Sequence, residues 1–273
     1  MMEADMASTP ILLFGYGNMA AAMLEGWLAS GMAAEDFAIY NPRLKPAPAG
    51  VQFCTAVPQG PFAAVVLGVK PQMLDAVTPQ LEPLLGPETM LVSILAGVEL
   101  ASLRQRFPRT GGIVRLMPNL AVALRKSPNA LVAQGLSTPL RDKVTALAAA
   151  LGSAEWLDDE SQFELVTALA GSGPGFLFRF IQALAKGAAA LGLEPDQAGR
   201  LAVAMVEGAG ALAAGSPHSP AELARRVASP GGMTQRGYDV LDRGKALDLL
   251  VRDTLRAARD RGEEMARTAR GEG

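Results

Sequence analysis

Two glycine-containing segments offer backbone groups that could bind anions, FGYGNMA at residues 14–20 and ASPGGMT at residues 228–234. In the first segment, Gly15, Gly17 and Ala20 follow an apolar run and precede a helical pattern, which is the G-x-G-x-x-A spacing of a dinucleotide site. Gly15 permits a tight turn, Gly17 lets the backbone approach a pyrophosphate, and Ala20 keeps the helix close to the strand. The segment predicts a dinucleotide-binding turn, with a purely structural glycine turn as the alternative.

The residues after the second apolar run indicate which dinucleotide is bound. An NAD site ends this strand with Asp or Glu, which accepts a hydrogen bond from the ribose 2′-hydroxyl. Here the run FAIY at 37–40 is followed by Asn41, Arg43 and Lys45, and no carboxylate lies at its end. Because arginine can bind a 2′-phosphate through two parallel hydrogen bonds, we expect NADP(H) to be preferred over NAD(H), which the site can also accept. Solvated surface charges are the alternative interpretation.

Three further apolar runs end in small or polar residues, in GVKPQ at 68–72, SILAGV at 93–98 and RLMPN at 115–119. In open α/β sheets the ligand lies at the carboxyl ends of the strands, so Lys70, Gly97 and Asn119 are placed to reach a cofactor. Ordinary strand-to-helix turns are the alternative. The predicted cofactor-binding residues are Gly15, Tyr16, Gly17, Asn18, Met19, Ala20, Asn41, Arg43, Val69, Lys70, Pro71, Ala96, Gly97 and Asn119.

The second glycine segment predicts a site for a carboxylate. Pro230 stiffens the turn, while Gly231 and Gly232 allow backbone angles that let consecutive N–H groups converge on one anion. If a helix resumes near Thr234, its positive end and the hydroxyl group add to the attraction. A plain connector is the alternative.

The stretch VTALAGSGPGF at 166–176 interrupts a helical pattern with Gly171, Gly173 and Pro174. Proline inside a helix costs about 3 kcal/mol, so we expect a break or a close helix contact there. Such a break would bring Thr167 and Ser172 towards the ligand crevice. A packing kink without a function is the alternative.

The elements that must position these residues divide the chain into two parts. Continuous apolar runs without alternation predict strands buried on both faces, and hence a mostly parallel, doubly wound Rossmann sheet over residues 1–158. Residues 159–273 show only helical patterns and predict an all-α domain. The predicted strands are 11–15, 37–40, 63–69, 90–95, 112–117, 130–134 and 154–157, and the predicted helices of the second part are 161–170, 174–192, 195–215, 220–228 and 245–269.

Composition excludes several other classes of protein. The net charge of −2 gives no basis for binding nucleic acid, and the apolar segments are interrupted by charges or glycines, so no membrane span is predicted. Cys54 is the single cysteine, which leaves no thiol cluster for a metal and fits a reducing, cytoplasmic setting. The acidic N-terminal segment does not resemble a secretory signal.

The two central helices of the second part, at 174–192 and 195–215, are apolar nearly all round. A helix of this kind needs cover on more than one side, and few helices are available to provide it. We therefore expect a homodimer formed through this part of the chain, or a larger assembly of dimers. A monomeric bundle is the alternative.

The segments FGYGNMA, GVKPQ, RLMPN, VTALAGSGPGF and VASPGGMTQ occur in the order found in pyrroline-5-carboxylate reductases, and the chain resembles this family from residue 10 to about 265. The resemblance implies NAD(P)H-dependent reduction of 1-pyrroline-5-carboxylate to L-proline. It also implies that Ser229, Gly231, Gly232 and Thr234 bind the substrate carboxylate and that Thr167 lies near the ring nitrogen. Thr167 and Thr234 are the candidate catalytic residues.

Departures from the family pattern leave other functions open. MPNLAV at 117–122 replaces MPNTPA, RKSP at 125–128 replaces a glycine-bearing stretch, and AGSGPGF replaces SGSGPAY. A relative that acts on another cyclic imine, or a dinucleotide-binding paralogue without turnover, would fit these changes.

A hydroxyacid or ketopantoate-type reductase is a further alternative, which would need Lys186 as its catalytic lysine. However, the sole histidine, His218, lies in a loop pattern, and few groups have a pKa suited to proton transfer. A cyclic imine can take its proton from solvent, so imine reduction suits this inventory better than carbonyl reduction.

Overall fold

The computed structural model describes residues 9–270. By its internal contacts the chain forms two compact units, of which the first is Met1–Gly171 with Ala258–Gly273 and the second is Ser172–Ala257.

The first unit is built on an eight-stranded sheet of order β3-β2-β1-β4-β5-β6-β7-β8. Every neighbouring pair is parallel except β6 and β7, which confirms the predicted doubly wound, mostly parallel sheet. The strand order reverses between β1 and β4, and such a switch point opens a crevice for ligands. The strands are β1 Ile11–Phe14, β2 Phe37–Tyr40, β3 Gln52–Cys54, β4 Ala64–Leu67, β5 Met90–Ser93, β6 Gly112–Met117, β7 Ser127–Gln134 and β8 Gly152–Trp156.

The apolar runs of the sequence form strands because both faces of the sheet are covered. β1, β2, β4 and β5 are buried along their whole length. Alternate residues of β1 enter different cores: Leu12 and Phe14 pack in one cluster, and Ile11 and Leu13 pack in the other. The central strands are thereby fixed in register, and their carboxyl ends lie side by side.

The largest differences from the sequence-based strands are a missed strand and a shifted strand start, and the other strand ends differ by at most two residues. β3 was missed because it is a three-residue edge strand whose residues are not buried, so it lacks an apolar run. β7 begins at Ser127, three residues before the predicted start, and its first residues include Pro128 and Asn129, which rarely occur in strands.

The helices of the described chain begin with α1, which follows the glycine turn. They are α1 Asn18–Ala29, α2 Leu74–Leu81, α3 Leu100–Arg106, α4 Thr138–Ala149, α5 Phe163–Val166, α6 Gly173–Ala190, α7 Pro195–Gly215, α8 Pro220–Val227, α9 Met233–Leu241 and α10 Ala246–Ala269. Short 3₁₀ turns at Ala34–Asp36, Pro71–Met73, Glu82–Leu84, Leu120–Leu124, Glu160–Gln162 and Arg243–Lys245 complete the connections, and a π-helical turn spans Thr167–Gly171.

The boundary between the two units differs from the predicted boundary at 158/159. The predicted boundary follows the change from strands to helices, whereas α5 and the turn Thr167–Gly171 belong to the first unit. The end of α10 also belongs to that unit: a Cβ added to Gly262 would lie 2.6 Å from Glu164 Oε2. Contacts between residues far apart in the sequence determine this division, so composition alone does not reveal it.

The second unit is helical, as predicted, and α7 and α8 begin at recognisable caps. The Glu194 side chain accepts hydrogen bonds from the N–H groups of Asp196 and Gln197, immediately before α7. Pro195 and Pro220 occupy the first turns of α7 and α8, where proline is tolerated. Within the described chain no helix combines the length and apolar character needed to cross a membrane.

Candidate active site

The glycine turn after β1 lies directly against the neighbouring turn after β4. Gly15 has a φ of +94°, and a Cβ at this position would lie 2.9 Å from Val69 Cγ1 and 3.0 Å from the Gly68 carbonyl oxygen. Its N–H group donates to the Tyr40 carbonyl at the end of β2, at 2.8 Å. Only glycine fits this position. Since the turn follows β1 and lies against the turn after β4, it lies at the switch point of the sheet.

The start of α1 is suited to bind a phosphate group. Gly17 is the residue before the helix and has no side chain to cap the first N–H groups. Ala20 is buried, and its Cβ lies 3.5 Å from the position that a Cβ on Gly68 would occupy, so the helix packs closely on the sheet as predicted. Asn18 is exposed and Met19 is half-buried at the same end of the helix.

The loop after β2 is tied to the glycine turn through the backbone of Tyr16. The Tyr16 N–H donates to Asn41 Oδ1 at 3.3 Å, and Lys45 Nζ donates to the Tyr16 carbonyl at 2.6 Å. Asn41 Nδ2 donates to the Arg43 carbonyl at 2.5 Å, and the Arg43 side chain is exposed. The loop therefore places the Lys45 ammonium group against the glycine turn and leaves the Arg43 side chain exposed.

The side chain of Tyr16 lies in the core and not on the ligand side of the turn. Its ring packs edge-on against Phe53, with 6.1 Å between centroids, and only 4% of the residue is exposed. Burial, followed by the charge of Glu25, raises the pKa of Tyr16 above its ordinary value. The expected contribution of Tyr16 to cofactor binding is thus limited to its backbone.

The turns after β4 and β5 bring further predicted residues together. Lys70 is exposed and precedes Pro71, which begins a 3₁₀ turn leading into α2. Pro71 and Ala96 line one cavity of about 270 Å³ together with Met265 of α10. Val69 is the half-buried residue that contacts the Gly15 position.

Gly97 has a packing role that was not predicted. Its φ is +69°, and a Cβ there would lie 2.9 Å from Met265 Cβ and 3.2 Å from the Ala266 nitrogen. The glycine is needed for the close approach of α10. Space for a nicotinamide beside Gly97 stays a prediction.

The end of β6 is joined to the π-helical turn. Asn119 is 5% exposed; its Oδ1 accepts from the Ala121 N–H at 2.8 Å and its Nδ2 donates to the Ala170 carbonyl at 2.9 Å. A Cβ on Gly171 would lie 3.4 Å from Met117 Sδ. Asn119 already makes two internal hydrogen bonds, and its predicted contact with the cofactor stays a prediction.

The predicted helix break takes the form of the π-helical turn Thr167–Gly171, followed by α6 at Gly173. Single π-helical turns inside helices occur frequently at functional sites. Thr167 Oγ1 donates its proton to the Phe163 carbonyl at 2.8 Å. Since that proton is used, the hydroxyl oxygen is left to accept a hydrogen bond from a ligand.

A buried charge cluster beside this turn was not predicted from the sequence. Arg115 of β6 is 1% exposed and donates to Glu160 Oε1 and Glu164 Oε1, both at 2.8 Å. Its guanidinium carbon lies 3.9 Å from the centroid of the Phe163 ring. An arginine within the otherwise apolar run GIVRLM was the available signal, because a buried charge requires partners.

In the second unit, the segment 229–234 forms the predicted bend. Gly231 has a φ of +74°, and the Gly232 N–H donates to the Ser229 carbonyl at 2.9 Å. The turn itself therefore uses the Gly232 N–H as a donor, and the binding of a carboxylate at this bend stays a prediction.

The donors available at this bend are those of the first turn of α9, which begins at Met233 immediately after Gly232. Thr234 lies in that turn. The helix start at Thr234, predicted only conditionally, is thus present one residue earlier.

Two family models match separate parts of the chain. A family model described as pyrroline-5-carboxylate reductase dimerisation matches residues 160–265, and one described as NADP oxidoreductase, coenzyme F420-dependent, matches residues 10–97. Over 268 residues the chain is 37% identical to the pyrroline-5-carboxylate reductase of Pseudomonas aeruginosa, covering 95% of this chain and 98% of the relative. The chain belongs to the pyrroline-5-carboxylate reductase family. It is also 31% identical to the enzyme of that name from Methanosarcina acetivorans, over 96% of this chain and the whole relative.

Solved structures of the family share the fold. A pyrroline-5-carboxylate reductase structure from Coxiella burnetii matches with a TM-score of 0.88 at 29% identity, covering 95% of this chain and 99% of that chain. The structure of a Plasmodium falciparum pyrroline carboxylate reductase with NADP bound matches with a TM-score of 0.81 at 20% identity, covering 95% and 98% of the two chains, which shows likeness of fold.

The departures from the pyrroline-5-carboxylate reductase pattern have distinct structural settings. Leu120 is 63% exposed in the 3₁₀ turn after β6. Arg125 adopts a φ of 56°, in the left-handed region that favours glycine, where the family pattern has a glycine-bearing stretch. Its Nε donates to the Ala150 carbonyl at 3.3 Å, so the side chain caps the end of a helix. This departure changes a turn between secondary-structure elements.

Proposed function

We propose that this protein reduces 1-pyrroline-5-carboxylate to L-proline, with NADP(H) as the preferred cofactor. The observation that carries the proposal is the similarity to enzymes of this name along 95% of the chain. The site residues support it. Only glycine fits at position 15, and the loop after β2 carries Arg43 with no carboxylate at the end of that strand.

The residues present suit an NADP(H) molecule. The uncapped start of α1 and the glycine turn would hold the pyrophosphate, and Arg43 and Lys45 would hold the 2′-phosphate. Lys70, Pro71, Ala96 and Gly97 belong to turns after neighbouring strands and would border the remainder of the dinucleotide. When bound, NADPH supplies the hydride.

The Thr167 hydroxyl oxygen would orient the substrate by accepting a hydrogen bond from the ring nitrogen. Its hydroxyl proton is directed to the Phe163 carbonyl at 2.8 Å, so the oxygen accepts from the N–H of a protonated imine. A neutral imine nitrogen has no proton to donate to this oxygen. Thr167 therefore favours the form of the substrate that accepts hydride most readily.

The bend 229–234 would bind the substrate carboxylate. The first N–H groups of α9 and the Thr234 hydroxyl are the donors, and Gly231 sets the conformation that exposes them. Ser229 closes the turn by accepting from the Gly232 N–H. These residues supply binding and orientation, so no side chain has to act as a strong acid.

We further propose a cytoplasmic homodimer formed through the second unit. Large apolar side chains of α6 and α7 are exposed in the single chain, among them Phe178 at 63%, Val203 at 55% and Leu212 at 70%. Such a surface favours association with a second copy. The match of residues 160–265 to a dimerisation family supports the same assembly.

A turnover assay tests the proposed reaction. Purified protein with NADPH and 1-pyrroline-5-carboxylate should lose reduced-nicotinamide absorbance and form L-proline in equal amounts. Activity with another cyclic imine carboxylate alone would move the assignment to that substrate, which the AGSGPGF departure at 170–176 favours as the second candidate. Absence of turnover with every imine tested would contradict a reductase function.

A further inference from the structure

β6 and its extension contact the segment 160–171 at both ends of the π-helical turn. Arg115 binds Glu160 and Glu164 before the turn, and Asn119 binds the Ala170 carbonyl within it. Residues two apart on a strand face the same side, so Arg115 and Met117 project together, and Met117 contacts the Gly171 position at the end of the turn. β6 and the residues directly after it thus contact the segment before, within and at the end of the turn.

Arg115 restrains the residues that precede the π-helical turn. Glu164 is followed by Thr167 one helical turn later, and the guanidinium stacks over Phe163, whose carbonyl receives the Thr167 proton. Glu160 Oε1 also accepts from the Leu100 N–H at 2.8 Å, so the carboxylate is anchored to α3. Two hydrogen bonds to two carboxylates orient a planar guanidinium in a way that an ammonium group cannot reproduce.

Asn119 compensates for a cost of the π-helical turn. Such a turn breaks the regular pairing of helix carbonyls, and a buried carbonyl without a donor is destabilising. The Asn119 amide donates to the carbonyl of the half-buried Ala170 at 2.9 Å and so stabilises the irregular backbone. Contacts with Arg115 of β6 and with Asn119, two residues beyond β6, thus lie before and after Thr167.

We infer that Arg115 and Asn119 are positioning residues, which act by holding the Thr167–Gly171 turn so that the Thr167 hydroxyl meets the substrate nitrogen. This inference rests on the proposed function of Thr167. A displacement of about 1 Å at a reacting group can reduce turnover on the order of 100-fold, so loss of this support should lower kcat.

The variants are Arg115→Lys, which keeps the buried positive charge, and Asn119→Ser, which shortens the side chain that reaches Ala170. Arg104→Lys is the matched control, because Arg104 donates to the Thr110 and Gln134 carbonyls at 3.0 and 3.4 Å and binds no residue of the π-helical turn. We expect kcat to fall about 10-fold or more for Arg115→Lys and Asn119→Ser. Arg115 is not among the predicted cofactor-binding residues, so the Kd for NADPH should stay within about twofold of the wild type in Arg115→Lys. Arg104→Lys should keep kcat within about twofold.

A double-mutant cycle with Thr167→Val separates positioning from general damage to the fold. If Arg115 acts through Thr167, adding Arg115→Lys to Thr167→Val should lower kcat by less than about threefold further. Full multiplication of the two effects, or equal losses for Arg115→Lys and Arg104→Lys, would overturn the inference.

Hydrogen exchange distinguishes failure of this inference from failure of the proposed function. Amides 163–172 should exchange faster in Arg115→Lys than in the wild type and in Arg104→Lys. A wild-type protein without imine turnover would refute the proposed function, and the exchange experiment would still decide whether β6 holds the turn. Equal protection in the two variants would overturn the inference whatever the activity.

Discussion

Replacing Gly231 with Ala tests whether the bend before α9 binds the substrate. Gly231 has a φ of +74°, and a Cβ at this position would meet nothing within 4 Å. The substitution therefore adds no clash and acts through backbone conformation alone. A residue other than glycine pays about 1–2 kcal/mol in the left-handed region.

That conformational energy should appear as a weaker substrate interaction. If the bend relaxes in the free enzyme, binding must restore the strained conformation, and 1–2 kcal/mol corresponds to a rise in KM of roughly 5- to 30-fold. The Kd for NADPH should stay within about twofold, because the predicted dinucleotide residues belong to the first unit and Gly231 belongs to the second.

The assay is steady-state kinetics with 1-pyrroline-5-carboxylate, together with NADPH titration and thermal unfolding. Gly244→Ala is the matched control, since Gly244 has a φ of +62° and a Cβ there would also meet nothing within 4 Å. Only Gly231→Ala should raise KM, and Gly244→Ala should leave KM unchanged whatever its effect on thermal stability. An unchanged KM for Gly231→Ala, or an equal rise for both variants, would refute the assignment of the bend.

Three other predictions concern the cofactor, the assembly and pH. Arg43→Ala should raise the Kd for NADPH about 10- to 100-fold and leave the Kd for NADH within about twofold, as measured by fluorescence titration. Equal losses of affinity for the two cofactors would show that Arg43 does not bind the 2′-phosphate. Phe178→Asp should convert the dimer to monomers in sedimentation experiments at about micromolar concentration, because the substitution buries a charge in the proposed interface. An unchanged molecular mass would place the interface elsewhere. Because the pKa of Tyr16 is raised in the folded protein, its stabilising contribution is present below about pH 10 and is lost as pH rises further. Tyr16→Phe should therefore show a smaller fall in unfolding free energy above that pH than the wild type. Parallel plots of unfolding free energy against pH for the two proteins would contradict this prediction.

Local patterns predicted the parts of the site that depend on backbone conformation. The turn at Gly15, the bend at Gly231 and the interruption after Thr167 were all found from glycine, proline and apolar spacing. Each is determined by residues close together in the sequence, and positive φ angles have a strong residue preference. These features therefore could be predicted from the sequence.

Features that depend on distant partners were not predictable in the same way. The carboxylates that bind Arg115 lie 45 and 49 residues further along the chain. Gly97 is required by Met265, a residue of α10, and the Tyr16 ring packs against Phe53 of the missed edge strand. Tertiary packing decides such contacts, so the pattern of a single segment does not reveal them.

A crystal structure with NADP⁺ and L-proline is the most direct test of how the protein holds its substrate. The proline carboxylate should accept hydrogen bonds from the first N–H groups of α9 and from Thr234, and the ring nitrogen should lie within hydrogen-bond distance of Thr167 Oγ1. A carboxylate bound away from residues 231–234 would contradict the account.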